Sequence, residues 1–589
     1  MNGSTCEIYS LFLESLLKKA NKKKRKFQSP PFKCFKDTEH IQPNIEIVDR
    51  LAEAAFHLLF SNTRESSLVF SSTDLERFEL DEGERKEFAL KSGILSATRK
   101  ASALRSSSSF SFIHKSIQEF LTAYYIACNN HLIDTWFIVS GYLNRYKDAY
   151  MDISQMFIFL CGLEISAANK LSSLMNECDL HSRNHKFPNI ILSGYRETVA
   201  NKHSDVNLQL SNFSFQIHVN EIRDLYNIWI KNTSNIMSLE LFIHERGIQS
   251  SPETGESASH YEFDLSSCSK LKKLTLWSKK ICLKDSSCSS ISEHAVWIVL
   301  NTTDPLPALP CIERIDLIKV TISSRVLRSL LSSLLALDHV VQCKLACCSI
   351  TSSVQGSDTD TSVSITVVNK KLVMDFGKDS PGLWEALHRL NIKSLSLDGG
   401  FLPVLLMNLG ELLSQSLSSL TQLETLTIHL RSYIAIQPPQ SLKNLNIYCT
   451  TLLPSKLREL MDTLRACTQT IDSRLEFGCV MLTYADDNHH EVHIHQIAPE
   501  EYTPIVQELQ TLKNVAVNRF RILDRIGENK RRVKDFCWSA RSNGDIDHDK
   551  HNGDSVEDKL YTEFVRCLDD TITHRISMRL MITQPRHQE

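Results

Sequence analysis

Apolar positions recur with two different spacings along this chain of 589 residues. As far as about residue 225 they fall three or four residues apart, the spacing of one face of an α-helix, with short alternating stretches between. From about residue 236 the spacing becomes L-x-x-L-x-L, in which a short alternating strand follows a buried turn. The two spacings predict an α+β region followed by an α/β region.

Two amphipathic helices open the first region. The apolar residues that predict them are Ile8, Leu11, Phe12, Leu16 and Leu17 in the first, and Leu51, Ala54, Ala55 and Leu58 in the second, which spans 48–60. A later helix is predicted to end at Gly93, because a residue without a Cβ suits a left-handed C-cap.

Short strands alternate with these helices. Residues 68–70 and 110–114 have strand-like patterns, and Ser116 and Glu119 have the spacing of a capping box that opens a helix. This interleaving predicts a winged-helix domain with preceding helices over residues 1–130. The mostly helical pattern after it predicts a helical domain over residues 131–235.

The second spacing returns many times. Its apolar positions are Ile236, Leu239 and Leu241; Leu271, Leu274 and Leu276; Ile312, Ile315 and Leu317; Val340, Cys343 and Leu345; Ile392, Leu395 and Leu397; Leu423, Leu426 and Ile428; and Leu442, Leu445 and Ile447. The unit at 340–350 has the fuller form, with Cys348 at the Asn/Cys position, where it can bond free backbone groups of a bend. Irregular intervals predict a degenerate leucine-rich-repeat solenoid over residues 236–453, with helices such as 326–337 between some strands.

The pattern stops after about residue 454. Helices are predicted at 457–464, 500–515 and 557–573, with a polar, mobile loop at 542–558. Residues 454–589 are therefore predicted to form an α/β region of unknown class.

Charge and cysteine content limit the function. The formal net charge of -3 argues against a general nucleic-acid binder, because few phosphates can be neutralised. No apolar run is long enough to span a bilayer, and the 17 cysteines, an odd number, suit reduced thiols in a cytoplasmic protein.

One segment carries a family resemblance. Residues 110–125, FSFIHKSIQEFLTAYY, resemble the F-x-F-x-H-x-x-x-Q-E-F-x-A-A-x-Y signature in the winged-helix part of NACHT–leucine-rich-repeat (NOD-like) receptors. Residues 91–95 resemble the family's S-G-L-L element, and residues 159–163 resemble its following helical domain. The resemblance covers roughly residues 6–450 and is most specific between 88 and 165.

The resemblance implies an innate-immune sensor that works by protein–protein interaction. Its repeats would bind a protein or microbial ligand, and the chain would hold a conformational switch and self-assemble. His114 would contact the phosphate of ADP, but only if a NACHT domain is present, since this sequence has no G-x-x-x-x-G-K-[ST] loop. No cofactor and no catalytic residue is therefore assigned to this chain alone, and it is predicted not to be an enzyme.

Other interpretations of the same residues stay open. His114 is equally explained as a histidine bonded to backbone at a strand–helix junction, and Gln118 and Glu119 as residues that brace the helix. Lys22–Lys26 is either a nuclear-import or lipid-binding patch or, with more weight, a solvated loop.

Two alternative functions remain beside the receptor. The first is an ATPase-less scaffold or decoy. The second is a metal-dependent enzyme centred on His489–His495, in which His489, His493 and His495 would share one face of a strand. Alternating histidines are also common on exposed strands, so no metal ligand is assigned.

Overall fold

A computed structural model gives the fold of residues 3–60, 69–81, 84–101, 106–145, 148–179, 186–216, 222–242, 261–278, 281–284, 296–299, 309–351, 360–378, 380–399, 409–451, 453–478, 480–484, 490–494 and 499–523. All of these residues belong to one unit, Met1–Trp538. Among them, no helix has both the length and the apolar character needed to cross a membrane. The predicted helix at 557–573 and loop at 542–558 lie outside the described residues.

The described helices are α1 Thr5–Ala20, α2 Ile45–Leu59, α3 Ser72–Arg77, α4 Arg85–Ser92, α5 Lys115–Cys128, α6 Ile133–Arg145, α7 Ala149–Asp152, α8 Ser154–Leu163, α9 Ile165–Asp179, α10 Phe187–Ala200, α11 Ile222–Asn232, α12 Ser324–Leu335, α13 Pro381–Leu387, α14 Leu409–Ser418, α15 Pro454–Ala466 and α16 Pro499–Gln510.

The described strands are β1 Phe70–Ser71, β2 Leu95–Ala101, β3 Ser106–Phe112, β4 Asn212–Gln216, β5 Ser238–Phe242, β6 Tyr261–Asp264, β7 Lys273–Trp277, β8 Ile281–Lys284, β9 Val296–Val299, β10 Arg314–Ile318, β11 Thr321–Ser323, β12 Val341–Thr351, β13 Asp360–Val368, β14 Lys371–Lys378, β15 Ser394–Gly399, β16 Thr425–Ser432, β17 Asn444–Thr451, β18 Ile471–Gly478, β19 Val480–Tyr484, β20 His490–Ile494 and β21 Val515–Leu523. The protein is mixed α/β, as the two spacings predict.

The first part combines helices with a small sheet in the order β1-β3-β2. The stripe on α2 is buried as predicted, and α4 ends at Gly93 with a φ of 80°. Helix α1 forms where predicted, but its buried face is partly wrong. Cys6, Leu13, Leu16 and Leu17 face the core, whereas the predicted Ile8, Leu11 and Phe12 are exposed.

A 16-stranded, mostly parallel sheet follows. Its central run, the strand ladder, is β4-β5-β7-β10-β12-β13-β14-β15-β16-β17-β18-β21. Strands β13 and β14 form an antiparallel hairpin within it, with positive φ at Asn369 and Lys370 in the connecting turn. The ladder begins before residue 236 and continues past 453, so it is longer than the span of the sequence motif.

The register aligns the motif positions. Leu239 pairs with Leu274, Leu274 with Ile315, and Ile315 with Cys343. These side chains form a buried inner row because alternation points every second residue to the same face of a sheet.

Two details predicted for the second half of the chain also differ from the structure. Val340 is 52% exposed, because β12 starts at Val341 and strand alternation turns Val341, Cys343 and Leu345 inward instead. The helix predicted at 500–515 ends at Gln510, and β-branched Val515 starts β21.

Candidate functional site

The strand–helix junction between β3 and α5 carries the residue that the family resemblance singles out. His114 is the N-cap of α5, and the Ser116 amide donates a hydrogen bond of 3.1 Å to its Nδ1. The predicted capping box at Ser116 and Glu119 is therefore wrong: the helix begins at Lys115, and the imidazole provides the cap. The side chain of His114 is exposed.

This bond decides the tautomer of the neutral imidazole. A ring nitrogen that accepts an amide proton carries no proton itself, so the proton of neutral His114 lies on Nε2. Nδ1 stabilises the helix end, while Nε2 is a hydrogen-bond donor. The two interpretations of His114 are compatible, because each uses a different nitrogen.

Gln118 and Glu119 are buried beneath this junction. Burial raises the pKa of the Glu119 carboxyl above its ordinary value, although Lys115 Nζ lies 3.4 Å from Glu119 Oε1. Both residues are placed to brace α5. Of the polar residues singled out in the signature, only His114 is exposed to solvent.

The aromatic positions of the signature belong to the core. Phe120 packs edge-on against Phe159 of α8, with ring centroids 5.4 Å apart. Tyr125, which is partly buried, stacks on Phe56 of α2, with ring centroids 4.7 Å apart. The signature therefore fixes α5 between α2 and α8, and it leaves His114 at the exposed start of the helix.

A buried carboxylate joins the start of α1 to the end of α10. Glu197 Oε1 accepts hydrogen bonds from the Ser4 hydroxyl at 2.7 Å and the Cys6 amide at 2.9 Å, and Oε2 accepts one from the Thr5 amide at 2.9 Å. Asn201 Nδ2 donates another to Oε1. Burial acts to raise the pKa of Glu197, but these hydrogen bonds outweigh it and lower the pKa below its ordinary value.

Gly162 of α8 makes this contact possible. A Cβ at Gly162 would lie 2.4 Å from Cys6 Sγ, 2.8 Å from Asn201 Nδ2 and 2.9 Å from Glu197 Oε1. The sequence S-T-C-E at residues 4–7 has capping spacing, and Ser4 does cap α1. No sequence signal links it to Glu197, 193 residues away.

The outer face of the strand ladder is the side opposite the buried inner row. On β5, β7 and β10 one outer row is Glu240, Thr275 and Asp316, which pair in register. Lys273 Nζ contacts Glu240 Oε1, and Arg314 Nε contacts Asp316 Oδ2 at 2.7 Å. The row continues to Lys344 of β12, the register partner of Asp316, so this part of the outer face carries both acids and bases.

Aromatic side chains border this row. Phe242 and Trp277 are register partners, their rings meet edge-to-face at 5.4 Å, and Trp277 is 43% exposed. We call Glu240, Phe242, Lys273, Thr275, Trp277, Arg314 and Asp316 the first outer patch. No sequence pattern predicted it, because the motif specifies only inner positions.

The outer face of β15, β16 and β17 differs. Ser396, Thr427 and Asn446 pair in register, and Asn446 Nδ2 donates a hydrogen bond of 3.2 Å to Thr427 Oγ1. The rings of His429 and Tyr448 lie 4.4 Å apart, and burial lowers the pKa of His429 to about 4. The side chain of His429 is therefore neutral at pH 7.

Cys348 has the role predicted for its position. Its Sγ donates a hydrogen bond of 3.2 Å to the Leu317 carbonyl on the neighbouring strand, and its side chain is buried. Burial also raises the pKa of the neighbouring Cys343 to about 12. These thiols are structural and unreactive. Where the structure describes a cysteine side chain, it is a free thiol.

Two other segments were candidates for a binding site, the lysine-rich run Lys22–Lys26 and the histidine-rich run His489–His495. In Lys22–Lys26, Lys24 and Lys26 lie 3.1 and 3.7 Å from Glu39, so part of the positive charge is compensated. His490–Ile494 forms β20, antiparallel to β19. His489, His495 and the side chain of His493 lie outside the described residues, and the side chains that are described contain no metal-binding cluster.

No protein-family model matches this chain, and no curated protein is significantly similar to it.

Proposed function

We propose that this chain is the switch and sensor part of a cytoplasmic receptor of the NACHT–leucine-rich-repeat type, and not an enzyme on its own. Its repeats bind a protein or microbial ligand, and a winged-helix and a helical domain transmit the binding event. Ligand binding favours an open, self-assembling state in proportion to its differential affinity for the two states.

The strand register is the observation that carries this proposal. Residues at the same motif position pair with each other within each of two runs of parallel strands, β5-β7-β10-β12 and β15-β16-β17. Examples are Leu395 with Leu426 and Leu426 with Leu445. A unit with one apolar face is stable only when its neighbours cover it, which is the defining property of a repeat protein. The Cys348 bond to Leu317 supports the same interpretation.

The junction at His114 supports the switch part of the proposal. The backbone already uses Nδ1, so an Nε2 proton at an exposed helix start is available to a phosphate oxygen. Such a contact needs a nucleotide-binding domain, because the 589 residues contain no phosphate-binding P-loop. The chain therefore contacts ADP only through a NACHT domain.

The test compares His114→Asn with the wild type in the protein isolated from its native source. Asparagine can also cap a helix, so stability is retained while the Nε2 donor is removed. A charge-assisted hydrogen bond contributes roughly 1.5–3 kcal/mol, so we expect ADP to dissociate at least tenfold faster. If the isolated protein contains a P-loop and the wild type and His114→Asn retain ADP equally well, the switch proposal is contradicted.

The second candidate function is a scaffold or decoy without an ATPase. The absence of a G-x-x-x-x-G-K-[ST] sequence from these residues favours it. The same purification separates the two candidates. A native protein of 67.1 kDa that carries no nucleotide supports the scaffold, and a larger protein with bound ADP supports the receptor.

A further inference from the structure

We propose that the first outer patch binds an arginine side chain presented by a partner polypeptide, with Asp316 and Thr275 as its hydrogen-bonding residues. This inference names a chemical class for the ligand of the proposed sensor and rests on the proposed function.

The centre of the patch has unused hydrogen-bonding capacity. Thr275 and Asp316 are register partners on β7 and β10, and each is only 7% exposed. Asp316 Oδ2 accepts from Arg314, whereas Asp316 Oδ1 and Thr275 Oγ1 have no partner among the described residues. A buried carboxylate oxygen without a donor is costly, so this place favours a ligand that brings N–H groups.

The acids at this centre are more buried than the bases around it, so a cation is favoured here. The Glu240 and Asp316 side chains are 16% and 10% exposed, whereas Lys273, Arg314 and Lys344, the register partner of Asp316 on β12, are each more than a third exposed and are screened by solvent. Glu240 and Asp316 flank Thr275 in register on its two neighbouring strands. With strands about 4.8 Å apart, the two acidic residues lie on either side of one ligand-sized space. Lys273 lies two residues before Thr275 on the same face, and Arg314 lies two residues before Asp316. Each of these bases pairs with one acid.

The aromatic border selects the kind of cation. Trp277 follows Thr275 by two positions on the same face, and its ring is partly exposed. A guanidinium group is planar, stacks on aromatic rings and donates several hydrogen bonds in fixed directions. An arginine side chain can therefore stack on the Trp277 ring and donate hydrogen bonds to Asp316 Oδ1 and Thr275 Oγ1 at the same time. The compact ammonium of lysine can make fewer of these contacts.

Access to the centre depends on side chains that can move. Lys273 and Arg314 are about half exposed, and each is held by one ion pair. Exposed ion pairs contribute little to stability, so a ligand can displace these side chains at little cost. Arg314 can keep its hydrogen bond to Asp316 Oδ2 while the ligand donates a hydrogen bond to Oδ1.

The test uses the full chain labelled with 5-fluorotryptophan and the probe N-acetyl-arginine amide. Trp277→Phe identifies the resonance of Trp277 among the 6 tryptophans. In fluorine NMR spectra, we expect the Trp277 resonance to shift and the shift to saturate at millimolar concentrations of the probe. The isosteric but neutral N-acetyl-citrulline amide is expected to give no such shift, and N-acetyl-lysine amide a weaker one.

Three variants locate the binding groups. Asp316→Asn and Thr275→Val are expected to weaken probe binding at least tenfold and threefold, respectively. Asn446→Ala, on the outer face of β17, is the control and should bind as the wild type does. Thermal unfolding of each variant shows that the fold is retained. If Asp316→Asn unfolds, Thr275→Val and the citrulline comparison still decide the question.

A second measurement extends the test to polypeptides. Random peptides displayed on phage are selected on the wild type and on Asp316→Asn, and enrichment of arginine only on the wild type is expected. Equal enrichment on both, enrichment of acidic residues, or no shift of Trp277 with the arginine probe would overturn the proposal. None of these outcomes affects ADP retention, so the proposed receptor function is tested separately.

Discussion

The helical region and the strand ladder are held together in different ways. In the ladder, the same apolar contact recurs from strand to strand, as Leu395, Leu426 and Leu445 illustrate. In the helical region, single contacts join residues that are far apart in sequence, such as Ser4 and Glu197. Repeated contacts are visible in a sequence as a period, whereas single contacts leave no pattern.

The inner and outer faces of the ladder also differ from each other. Its inner row changes little from β5 to β17, but the outer face changes from ion pairs and tryptophan to hydroxyl and amide side chains. The inner positions are constrained because every strand must cover its neighbour. The outer positions are not constrained in this way, so their side chains can vary without loss of the fold.

The largest expected effect tests the repeated contacts. Leu274→Ala and Ile447→Ala each remove a buried side chain from the inner row, which continues in register from Cys343 to β17. Each should lower the free energy of unfolding by roughly 3 kcal/mol, because a cavity remains in a packed core. Urea denaturation measures this loss. A large loss at one position and less than about 1 kcal/mol at the other would contradict a uniform inner row.

The next effect tests the close contacts of the helical region. Gly162→Ala places a methyl group against Cys6, Asn201 and Glu197, all within 3 Å of the new Cβ. We expect a loss of roughly 2 kcal/mol from this overpacking. Gly141→Ala is the control, because nothing lies within 4 Å of a Cβ there. In a helix, that change alone should stabilise the protein by up to about 1 kcal/mol. Equal effects at both positions would show that α1 and α8 are not in close contact.

The sequence predicts the ladder better than it predicts the sites. It identifies the inner residues because each unit repeats the same requirement, and it places Gly93 at a helix end because few residues adopt that φ. It misjudges the face of α1, since Ile8, Leu11 and Phe12 are as apolar as the residues that are buried. The contacts of Glu197 with Ser4 and Cys6 hold the start of α1 in the observed orientation, and they depend on tertiary structure.

The Glu197 contact gives a pH-dependent prediction. Glu197→Gln introduces an NH2 group where the carboxylate accepts amide hydrogens, and it should cost roughly 1–2 kcal/mol at pH 7. The folded pKa of Glu197 is lowered, so its contribution is fully present above the unfolded pKa of about 4.3 and is lost as the pH falls through the folded pKa. The difference in unfolding free energy between wild type and variant should therefore be constant from pH 6 to 8 and shrink below about pH 4.3.

Glu177→Gln is the control for this measurement, since Glu177 is exposed on α9. It should change the unfolding free energy by no more than about 0.5 kcal/mol. A difference between Glu197→Gln and wild type that stays constant down to pH 3 would show that the ionised carboxylate does not stabilise the start of α1.

The smallest expected effect concerns His114, where the two kinds of contact meet. His114→Ala removes the N-cap of α5 and should lower the unfolding free energy by roughly 1 kcal/mol, whereas His114→Asn should restore most of it. If both variants are as stable as the wild type, the Ser116 amide does not need the imidazole. If His114→Asn is as unstable as His114→Ala, the ring itself is required for packing. If asparagine restores the stability, Nε2 has no structural role. His114 can then stabilise the helix through Nδ1 and bind a ligand through Nε2.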